Sequence, residues 1–448
     1  MRLLDSVDPE LYRGALYIVE TLRARGFEAL FAGGAVRDLL LGREVADIDI
    51  TTSAPPEIIE RIFPSTIPVG KQFGVIIVIM GSHQYEVATF RADSDYSDGR
   101  HPTRVSFTNA RKDAQRRDFT VNALFYDPST GEVLDFVGGR RDLERKIIRT
   151  VGDPRLRFEE DKLRLLRTVR FACLLGFQVE QDTLEQVHRL AQDILQVSAE
   201  RIRDELLKIF CGPAPGRGLD LLSETGLLAA VLPEVEAMKG VEQPPEFHPE
   251  GDVFVHTRLM LELARNLTDT LALGILLHDV GKPSTFRIAE RIRFDRHAEV
   301  GARMAASICR RLRLSRQKTE KVVSLVRRHL RFMHVRQMRE STLKRFLRQE
   351  NFAEHLELHR LDCAGSHGDL SNHAFCLQKL AEFGQEKIRP EPLVTGHDLI
   401  RLGFIPGPLF SEILNWVEDR QLEEEIVSRE QALECVKNRW GSRIGTRE

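Results

Sequence analysis

The sequence has few of the features that mark secreted, membrane-spanning or zinc-ribbon proteins. Its six cysteines are scattered without a CxxC pair, which suits reduced thiols in a cytosol better than a disulfide framework or a zinc ribbon. The longest apolar runs, near Val75–Met80 and Leu271–Leu277, are far too short to span a bilayer, and the first residues lack the apolar core of a signal peptide. We therefore expect a cytoplasmic protein with no membrane partner.

The chain also lacks a basic excess. Its formal net charge is −2, and its hydrophobic (42%) and charged (29%) contents are ordinary for a soluble globular protein. Proteins that bind nucleic acid indiscriminately usually carry a surplus of Lys and Arg, so any RNA contact has to come from local patches. The candidate patch is the basic cluster between Arg310 and Arg328, although charge runs of this kind usually form solvated faces.

The pattern along the 448 residues favours several domains. Residues 1–150 mix helix and strand patterns, residues 151–242 and 243–385 are helical, and residues 386–448 resemble a helical tail. Within these parts the pattern predicts a strand over Ala29–Ala32, a hairpin that turns at Gly81-Ser82, a polar loop over residues 91–104 and one amphipathic helix over residues 418–439. The stretch Gln243–Asp252 is rich in Pro and reads as a linker. The predicted fold class is α+β, a mixed sheet with helices followed by all-α domains. The oligomeric state stays open.

The most informative local feature is Asp47-Ile48-Asp49, on a predicted strand that follows the Gly33-Gly34 pair. Successive strand side chains point to opposite faces, so the two carboxylates project together and repel one another unless a cation lies between them. Mg²⁺ prefers a few carboxylate oxygens plus phosphates, and two ions about 3.5–4 Å apart can clamp both oxygens of a phosphoryl displacement. The spacing therefore suits nucleotidyl transfer with two Mg²⁺ ions; the alternative is a hairpin with an acidic exposed face.

Residues near this pair suit a nucleoside triphosphate. Gly33, Gly34 and Arg37 form a strand end, a glycine turn and a helix start, where backbone N–H groups and a guanidinium could hold phosphates. Glu86, on a neighbouring predicted strand, is a further candidate carboxylate, and an exposed strand position is the alternative. The sequence thus predicts one site built from several strands and turns.

Two later segments combine a cation with an anion. Arg117, Asp118 and Asn122 supply a guanidinium, a carboxylate and an amide in a predicted strand-to-helix segment, which suits a ribose and phosphates, although a capped helix with an ion pair is the alternative. Asp161 and Arg164 lie three residues apart on one predicted helix, hence on one face. A carboxylate acceptor beside a guanidinium donor fits cytosine and adenine, whereas uracil and guanine reverse the pattern. The alternative is a surface salt bridge.

Taken together, these motifs closely resemble motifs A, B, D and E of class II tRNA nucleotidyltransferases and their poly(A) polymerase relatives. The matching runs are Gly33–Asp38, Asp47–Asp49, Arg116–Leu124, Glu160–Arg164 and Glu200–Leu206, with Asp135–Asp142 similar to a looser linking motif. The resemblance covers about the first 240 residues. It implies a polymerase-beta-like nucleotidyltransferase head in residues 1–150, a helical neck in residues 151–242, and a body and tail that hold the tRNA acceptor end.

The resemblance also implies roles for single residues. Asp47 and Asp49 would be catalytic and would bind two Mg²⁺ ions. Nucleotide binding would fall to Gly33, Gly34, Arg37, Arg117, Asp118, Asn122, Asp161 and Arg164, with Glu160, Arg167 and Arg201 as further candidates. The segment Asp93–Arg104, with Tyr96, Arg100 and His101, matches in position the flexible loop that CCA-adding relatives use when switching from C to A addition, although it could be a mobile connection only.

Further along the chain, Leu276–Lys282 resembles the core of an HD-domain phosphohydrolase, which implies an HD domain in residues 243–385. The order His256, His278-Asp279, His297, His329 and Asp362 suits a binuclear metal site bridged by Asp279, with Ni²⁺, Mn²⁺ or Mg²⁺ as candidates. Lys282 could meet a phosphate, although a surface lysine is the default. Two further local groups are expected to be structural: the run His248-Pro249-Glu250-Gly251, and the pair His355 and His359.

These features predict an enzyme that adds C, C and A to the 3′ end of tRNA from CTP and ATP without a nucleic-acid template. Alternatives in the same class are a CC-adding or A-adding enzyme and a poly(A) polymerase. An alternative of another class is an HD phosphohydrolase with a vestigial RNA-binding head. If both parts work, the HD domain is expected to remove 2′,3′-cyclic phosphate or another phosphate from RNA ends.

Overall fold

The protein, represented by a computed structural model, is described for residues 7–96, 102–246 and 248–445. The chain divides into two compact units, Met1–Glu236 with Arg311–Arg313, and Ala237–Arg310 with Leu314–Glu448. Within the described residues, none of the helices combines the length and the apolar character that a membrane span requires. The finer division into four domains stays a prediction.

A mixed sheet of seven strands forms the centre of the first unit. Its order is β3-β4-β5-β2-β1-β8-β9, and only β2 and β5 pair in parallel. The strands of this unit are β1 (Ala29–Ala32), β2 (Asp49–Thr52), β3 (Thr66–Gly70), β4 (Val75–Met80), β5 (His83–Thr89), β6 (Arg91–Tyr96), β7 (Pro102–Phe107), β8 (Leu124–Asp127), β9 (Glu132–Asp135), β10 (Ile147–Ile148) and β11 (Gln178–Val179). β6 pairs with β7, and β10 with β11, in separate two-stranded sheets.

Helices cover this sheet and then continue alone to the end of the first unit. α1 begins where Asp8 accepts hydrogen bonds from two backbone N–H groups, and its apolar residues repeat at helical spacing and are buried. The helices are α1 (Pro9–Arg23), α2 (Gly34–Leu40), α3 (Pro56–Ile62), α4 (Ala110–Arg116), α5 (Gly139–Arg145), α6 (Pro154–Glu160), α7 (Arg164–Leu175), α8 (Gln181–Arg189), α9 (Ala199–Phe210), α10 (Pro215–Glu224), α11 (Leu227–Val231) and α12 (Pro233–Glu236). Short 3₁₀ helices cover Lys71–Phe73, Thr120–Asn122 and Ala191–Gln196.

The second unit is helical apart from one β-hairpin, β12 (Phe286–Ile288) with β13 (Ile292–Phe294). Its helices are α13 (Val253–Leu263), α14 (Asp269–Leu277), α15 (Lys282–Thr285), α16 (His297–Arg311), α17 (Arg316–Arg328), α18 (Glu340–Leu347), α19 (Phe352–Ala364), α20 (Ser371–Ile388, with a break at Gly384), α21 (Gly396–Arg401), α22 (Pro408–Leu422) and α23 (Arg429–Trp440). 3₁₀ helices cover His329–Gln337 and Gly441–Arg443. α14 is buried from Thr270 to its end, which explains its nearly continuous apolar sequence.

Several predicted elements match the structure, and two do not. The strand Ala29–Ala32 and the hairpin that turns at Gly81-Ser82 are confirmed. The loop predicted over residues 91–104 is wrong in part, because β6 and β7 form an antiparallel hairpin; these strands are polar and lack apolar alternation. Arg100 and His101 lie outside the described residues. The single helix predicted over residues 418–439 is two helices, because Ser428 caps a new helix start at α23.

Candidate functional site

A cavity of about 540 Å³ lies in the first unit, beside the end of β1 and the start of β2. It brings together residues that are far apart in sequence. Apart from Glu160, the candidate residues predicted for this unit all line it: Gly33, Gly34, Arg37, Asp47, Asp49, Glu86, Arg117, Asp118, Asn122, Asp161, Arg164, Arg167 and Arg201. The fold therefore assembles the predicted residues around one space large enough for a small ligand.

Three carboxylates meet at this cavity. Asp49 begins β2, and Glu86 lies on β5, the parallel neighbour of β2. Asp47 is exposed and lies in the segment that leads into β2, two residues before the strand begins. The prediction that both aspartates sit on one strand is therefore wrong, because this segment, not the strand, positions Asp47. Burial and the charges of Glu86 and Asp47 raise the pKa of Asp49 to about 7, despite the opposing charge of Arg117. Oxygen donors that destabilise one another's charge in this way fit a divalent cation.

The glycine turn brings backbone close to the same carboxylates. Gly33 follows β1 with a φ of 70°, which L side chains rarely adopt. A β-carbon at Gly33 would also lie 3.1 Å from Nη1 of Arg117. Arg37, buried on α2, donates a hydrogen bond of 2.6 Å to Oδ1 of Asn122 and one of 2.9 Å to Oδ1 of Asp38. The glycine turn and Arg37 therefore form one wall of the cavity, and hydrogen bonds to Asn122 and Asp38 fix the Arg37 side chain.

The segment with Arg117, Asp118 and Asn122 follows α4, is extended at Phe119, which forms a β-bridge with Thr150, and enters a 3₁₀ helix, so the predicted strand is reduced to a single bridge and the predicted helix to one 3₁₀ turn. Nε of Arg117 donates to Oδ2 of Asp113 at 3.2 Å, and Nδ2 of Asn122 donates to Oδ1 of Asp118 at 3.2 Å. Nε of Arg167 donates to Oδ2 of Asp118 at 2.8 Å. Burial favours the neutral acid, but the charges of Arg167 and Arg164, together with hydrogen bonds from Arg167 and the backbone N–H of Phe119, outweigh burial and lower the pKa of Asp118 to about 2. Asp118 is therefore an anion at neutral pH.

Asp161 and Arg164 do not share one helix face, contrary to the prediction. Asp161 follows α6 with φ −144° and ψ 105°, and α7 begins at Arg164. Oδ1 of Asp161 accepts a hydrogen bond of 3.1 Å from the backbone N–H of Leu163, a local bond that competes with helix formation. Oδ2 of Asp161 accepts from Nη2 of Arg201 at 2.9 Å, and Nη1 of Arg164 donates to Oε2 of Glu160 at 2.6 Å. An acceptor and a donor nevertheless both face the cavity.

In the second unit, the six predicted metal ligands converge from separate helices. They form two groups in which the donor atoms lie within 4.8 Å of one another: position 1, with His256, His278 and Asp362, and position 2, with Asp279, His297 and His329. A cavity of about 640 Å³ reaches both groups. The predicted set is therefore brought together, including His297 and His329.

The protonation of three of these histidines follows from their neighbours. Nδ1 of His278, His297 and His329 lies 2.8, 2.8 and 2.7 Å, respectively, from a backbone carbonyl three residues earlier. A carbonyl oxygen can only accept, so Nδ1 carries the proton and the lone pair of Nε2 is left for another partner. This arrangement of the outer nitrogen is typical of metal-binding histidines.

Asp279 lies between the two positions. Its Oδ2 is 3.1 Å from Nε2 of His278 and 2.6 Å from Nζ of Lys282, and its Oδ1 is 3.5 and 3.7 Å from Nε2 of His297 and His329. Burial opposes ionisation, but His278 and Lys282 hold the pKa of Asp279 well below its usual range. Within the described residues, Oδ1 of Asp279 and Nε2 of His278 are buried without a hydrogen bond. These donors fit a divalent cation.

The stretch predicted as a linker is instead part of the second cavity. Oε1 of Gln243 accepts a hydrogen bond of 2.5 Å from Nζ of Lys282, and both side chains are buried, so Lys282 is not a surface lysine. Pro244 and His248 line the cavity. Oε1 of Glu250 lies 2.7 Å from Nδ1 of His256 and 2.9 Å from Nδ1 of His248. His248 and Glu250, predicted to be structural, therefore reach the metal-ligand cluster.

Other residues of both sites escaped the sequence analysis. Asp113 is buried and pairs with Arg116 and Arg117, and its spacing of three and four residues from them on a helix was a usable signal. The ring of Phe171 lies 5.5 Å from the guanidinium of Arg37 and contacts two more arginines, and no sequence pattern indicates this. His359 stacks on a phenylalanine, as a structural histidine would, but it also lines the second cavity.

Three protein families match successive parts of the chain. The poly(A) polymerase head domain matches residues 29–149, the probable RNA- and SrmB-binding site of polymerase A matches residues 176–239, and the HD domain matches residues 253–356. The first two matches lie on the unit that holds the carboxylate cavity. Over these residues the chain is similar to the poly(A) polymerase family. The predicted family and the α+β fold class are thereby confirmed.

Named relatives match about half of the chain. The CCA-adding enzymes of Geobacillus sp. (strain WCH70) and Geobacillus stearothermophilus are each 46% identical over 219 residues, which cover 49% of this chain and 54% of theirs. The chain therefore spans about half the length of the curated relatives it matches.

Solved structures in this family match nearly the whole chain. The Bacillus stearothermophilus CCA-adding enzyme in complex with CTP has a TM-score of 0.74 at 28% identity and covers 97% of this chain and 100% of its own. A Thermotoga maritima CCA-adding enzyme complexed with tRNA has a TM-score of 0.60 at 20% identity, with 97% of both chains covered, and shows the fold alone.

Proposed function

We propose that the chain adds CCA to the 3′ end of tRNA in the cytoplasm, from CTP and ATP and without a nucleic-acid template. The observation that carries this proposal is the single cavity in which Asp47, Asp49 and Glu86 face an acceptor, Asp161, and a donor, Arg164. Relatives that match about half of the chain are named CCA-adding enzymes. The 3′-hydroxyl of tRNA would displace pyrophosphate from the bound nucleotide.

The carboxylates would hold two Mg²⁺ ions, which lower the pKa of the attacking 3′-hydroxyl and neutralise the leaving pyrophosphate. Gly33 leaves room for phosphates near the carboxylates because it has no side chain. Arg117 and Arg37 contribute positive charge on the same wall of the cavity. Asp118 and Asn122, which share a hydrogen bond, would bind the ribose.

Base choice would rest on Asp161 and Arg164. Cytosine and adenine both present an amino donor beside a ring-nitrogen acceptor, which matches a carboxylate and a guanidinium. Arg201 and Glu160 hold these two side chains, so each keeps its orientation before a base arrives. A base with the reversed pattern would place donor against donor and acceptor against acceptor, and these unmatched groups would disfavour uracil and guanine.

The direct test is incorporation of labelled nucleotide into tRNA transcripts lacking CCA, CA or only the final A, with CTP, ATP or both. We expect CTP alone to add two residues to the first transcript, and CTP with ATP to add three and then stop. If the third transcript is the only one that is extended, and it receives A, the enzyme is an A-adding one. If C is added to the first two transcripts but A is added to none, the enzyme is a CC-adding one. Repeated A addition would indicate a poly(A) polymerase; each of these outcomes contradicts the proposal.

We expect the requirement for Mg²⁺ to depend on pH. Asp49 has a pKa of about 7, so its carboxyl group is protonated below that value and the proton competes with the cation. The Mg²⁺ concentration for half-maximal incorporation should therefore rise as pH falls, by up to about tenfold per pH unit below 7 for one released proton. Mg²⁺ titrations of the incorporation rate between pH 6 and 8 measure this; a half-saturation constant independent of pH would contradict it.

A second activity is favoured by the buried ligands of positions 1 and 2. We propose that this cavity removes a phosphate group from RNA ends, including 2′,3′-cyclic phosphate. A bound Ni²⁺, Mn²⁺ or Mg²⁺ pair would supply Lewis-acid activation of the phosphate ester. Lys282 would not bind the substrate phosphate directly, because Asp279 and Gln243 already engage its ammonium group.

A further inference from the structure

The two metal positions of the second unit are not electrostatically equal. His256, in position 1, is completely buried and lies between two carboxylates: Nε2 is 3.1 Å from Oδ1 of Asp362, and Nδ1 is 2.7 Å from Oε1 of Glu250. The histidines of positions 1 and 2 other than His256 place Nδ1 against a neutral backbone carbonyl. Of the four ligand histidines, His256 is therefore the one whose Nδ1 faces a carboxylate, that of Glu250.

Glu250 is brought to His256 by the stretch that precedes α13. Gly251 has a φ of 117°, a conformation that L side chains rarely adopt, and this turn directs the chain into the helix start at Asp252. His248 contacts the same oxygen of Glu250 at 2.9 Å, and its ring packs edge-on against that of His256, with centroids 5.0 Å apart. The side chain of Glu250 is 6% exposed, so its charge is poorly screened by water.

Position 2 has fewer carboxylates. Its one acidic ligand is Asp279, which lies between the two positions: Oδ1 faces His297 and His329, and Oδ2 contacts the ammonium group of Lys282 at 2.6 Å. A cation at position 2 would therefore meet a single carboxylate, whose charge Lys282 partly balances. At position 1, Asp362 and the carboxylate behind His256 both favour a cation.

We propose that Glu250 is a positioning residue that makes position 1 the tighter metal site, which fills before position 2. A carboxylate behind a histidine fixes the proton on Nδ1, orients Nε2 towards the metal and makes it a stronger donor. Nδ1 of His256 lies 2.7 Å from Glu250 without a regular hydrogen bond in the described residues, while Nε2 contacts Asp362, so we expect the ring to align with Glu250 once Nε2 binds a metal. This inference rests on the proposed metal site, and it adds residues 248–251, which lie outside the matched HD family region.

The test is a Co²⁺ titration of the metal-free full-length chain, followed by visible absorption and by equilibrium dialysis with metal analysis. Co²⁺ bound by nitrogen ligands absorbs differently from Co²⁺ bound by oxygen alone, which separates the histidine positions from the Asp47 and Asp49 cluster. We expect two histidine-bound equivalents with unequal affinity. Glu250→Ala should weaken the tighter equivalent by about 10- to 100-fold and leave the weaker one unchanged.

Two further variants separate positioning from folding. Glu250→Gln keeps an acceptor for Nδ1 but loses the charge, so its loss of affinity should fall between those of the wild type and Glu250→Ala. Glu246→Ala removes an exposed carboxylate from the same stretch and should bind Co²⁺ like the wild type. The thermal unfolding midpoint of each metal-free variant checks that the fold is retained.

The outcomes are distinguishable. Equal Co²⁺ affinities in the wild type and Glu250→Ala would overturn the role of Glu250 but not the metal site. Loss of a third equivalent in Glu250→Ala would show that Glu250 is itself a ligand, and would also overturn the inference. If the wild type binds no Co²⁺ through nitrogen, the proposed metal site fails, and the inference fails with it.

Discussion

Replacement of Asp47 by Ala is expected to abolish nucleotide incorporation while the fold is retained. Asp47 is exposed and makes no hydrogen bond or ion pair within the described residues, so its loss removes no packing. The substitution also removes the repulsion between the carboxylates of Asp47 and Asp49, because the charge of Asp47 helps to raise the pKa of Asp49. The rate should fall by at least about 10²–10³-fold, the loss typical when one preorganised electrostatic group is removed.

The matched control for this experiment is Glu44→Ala. Glu44 is an exposed carboxylate three residues earlier in the same segment, and it does not line the cavity. Its variant should incorporate CTP at nearly the wild-type rate. Unfolding midpoints and CTP incorporation are measured for both variants; if Asp47→Ala kept the wild-type rate, the proposed metal role would be ruled out.

Replacement of His278 by Ala is expected to remove any phosphatase activity while nucleotide addition is spared. Nε2 of His278 is buried and unpaired within the described residues, and it points to Asp279, so the variant loses a donor of position 1. Loss of a direct ligand should cost more than the 10- to 100-fold typical of residues behind the ligands. Release of phosphate from a 3′-phosphorylated or 2′,3′-cyclic RNA end, with Mn²⁺, Ni²⁺ or Mg²⁺ supplied, measures this loss.

His334→Ala is the control for that variant. His334 is an exposed histidine on the 3₁₀ helix that begins at His329, and it does not line the cavity. It should leave both activities unchanged. A parallel loss of nucleotide addition in His278→Ala would mean that His278 supports the fold rather than the phosphatase.

Much of the first site was predictable because its motifs are short and local. The Gly33-Gly34 turn follows an apolar strand of four buried residues, and the φ of 70° at Gly33 is a constraint that glycine meets without strain. Asp47 and Asp49 stand out because unpaired acids beside a buried strand need a partner. The same local pattern misplaced Asp47 on the strand, since strand ends are set by pairing with β1 and β5 and not by alternation alone.

Asp161 and Arg164 line the same cavity, although the shared helix that the sequence predicted for them is wrong. Helical spacing suggested a shared face, but the side chain of Asp161 bonds the backbone of Leu163 and ends α6. The competition between such a bond and a helical one is not decided by spacing. The two side chains face the same cavity because Arg201 and Glu160, from α9 and α6, hold them there.

The stretch Gln243–Asp252 marks the limit of local reasoning. Proline and glycine correctly indicate irregular backbone there, and irregular backbone by itself favours the prediction of a linker. Whether such a stretch is exposed depends on what packs against it. Gln243 meets Lys282, and Glu250 meets His256, across sequence separations of 39 and 6 residues. Neither contact leaves a periodic signal.

Residue types, their order and their spacing were enough to predict the family and the α+β fold class, and to single out acids and histidines that the fold gathers at two cavities, although His248 and Glu250 were missed. Those properties can be recognised from short stretches of sequence, because a turn, a buried strand and the order of metal-binding residues each leave a pattern in the sequence. Which side chains share a cavity, how strongly Asp49 holds its proton and what stands behind His256 depend on the folded chain. Burial and long-range contacts set local charge and dielectric, and these exist once distant segments have come together.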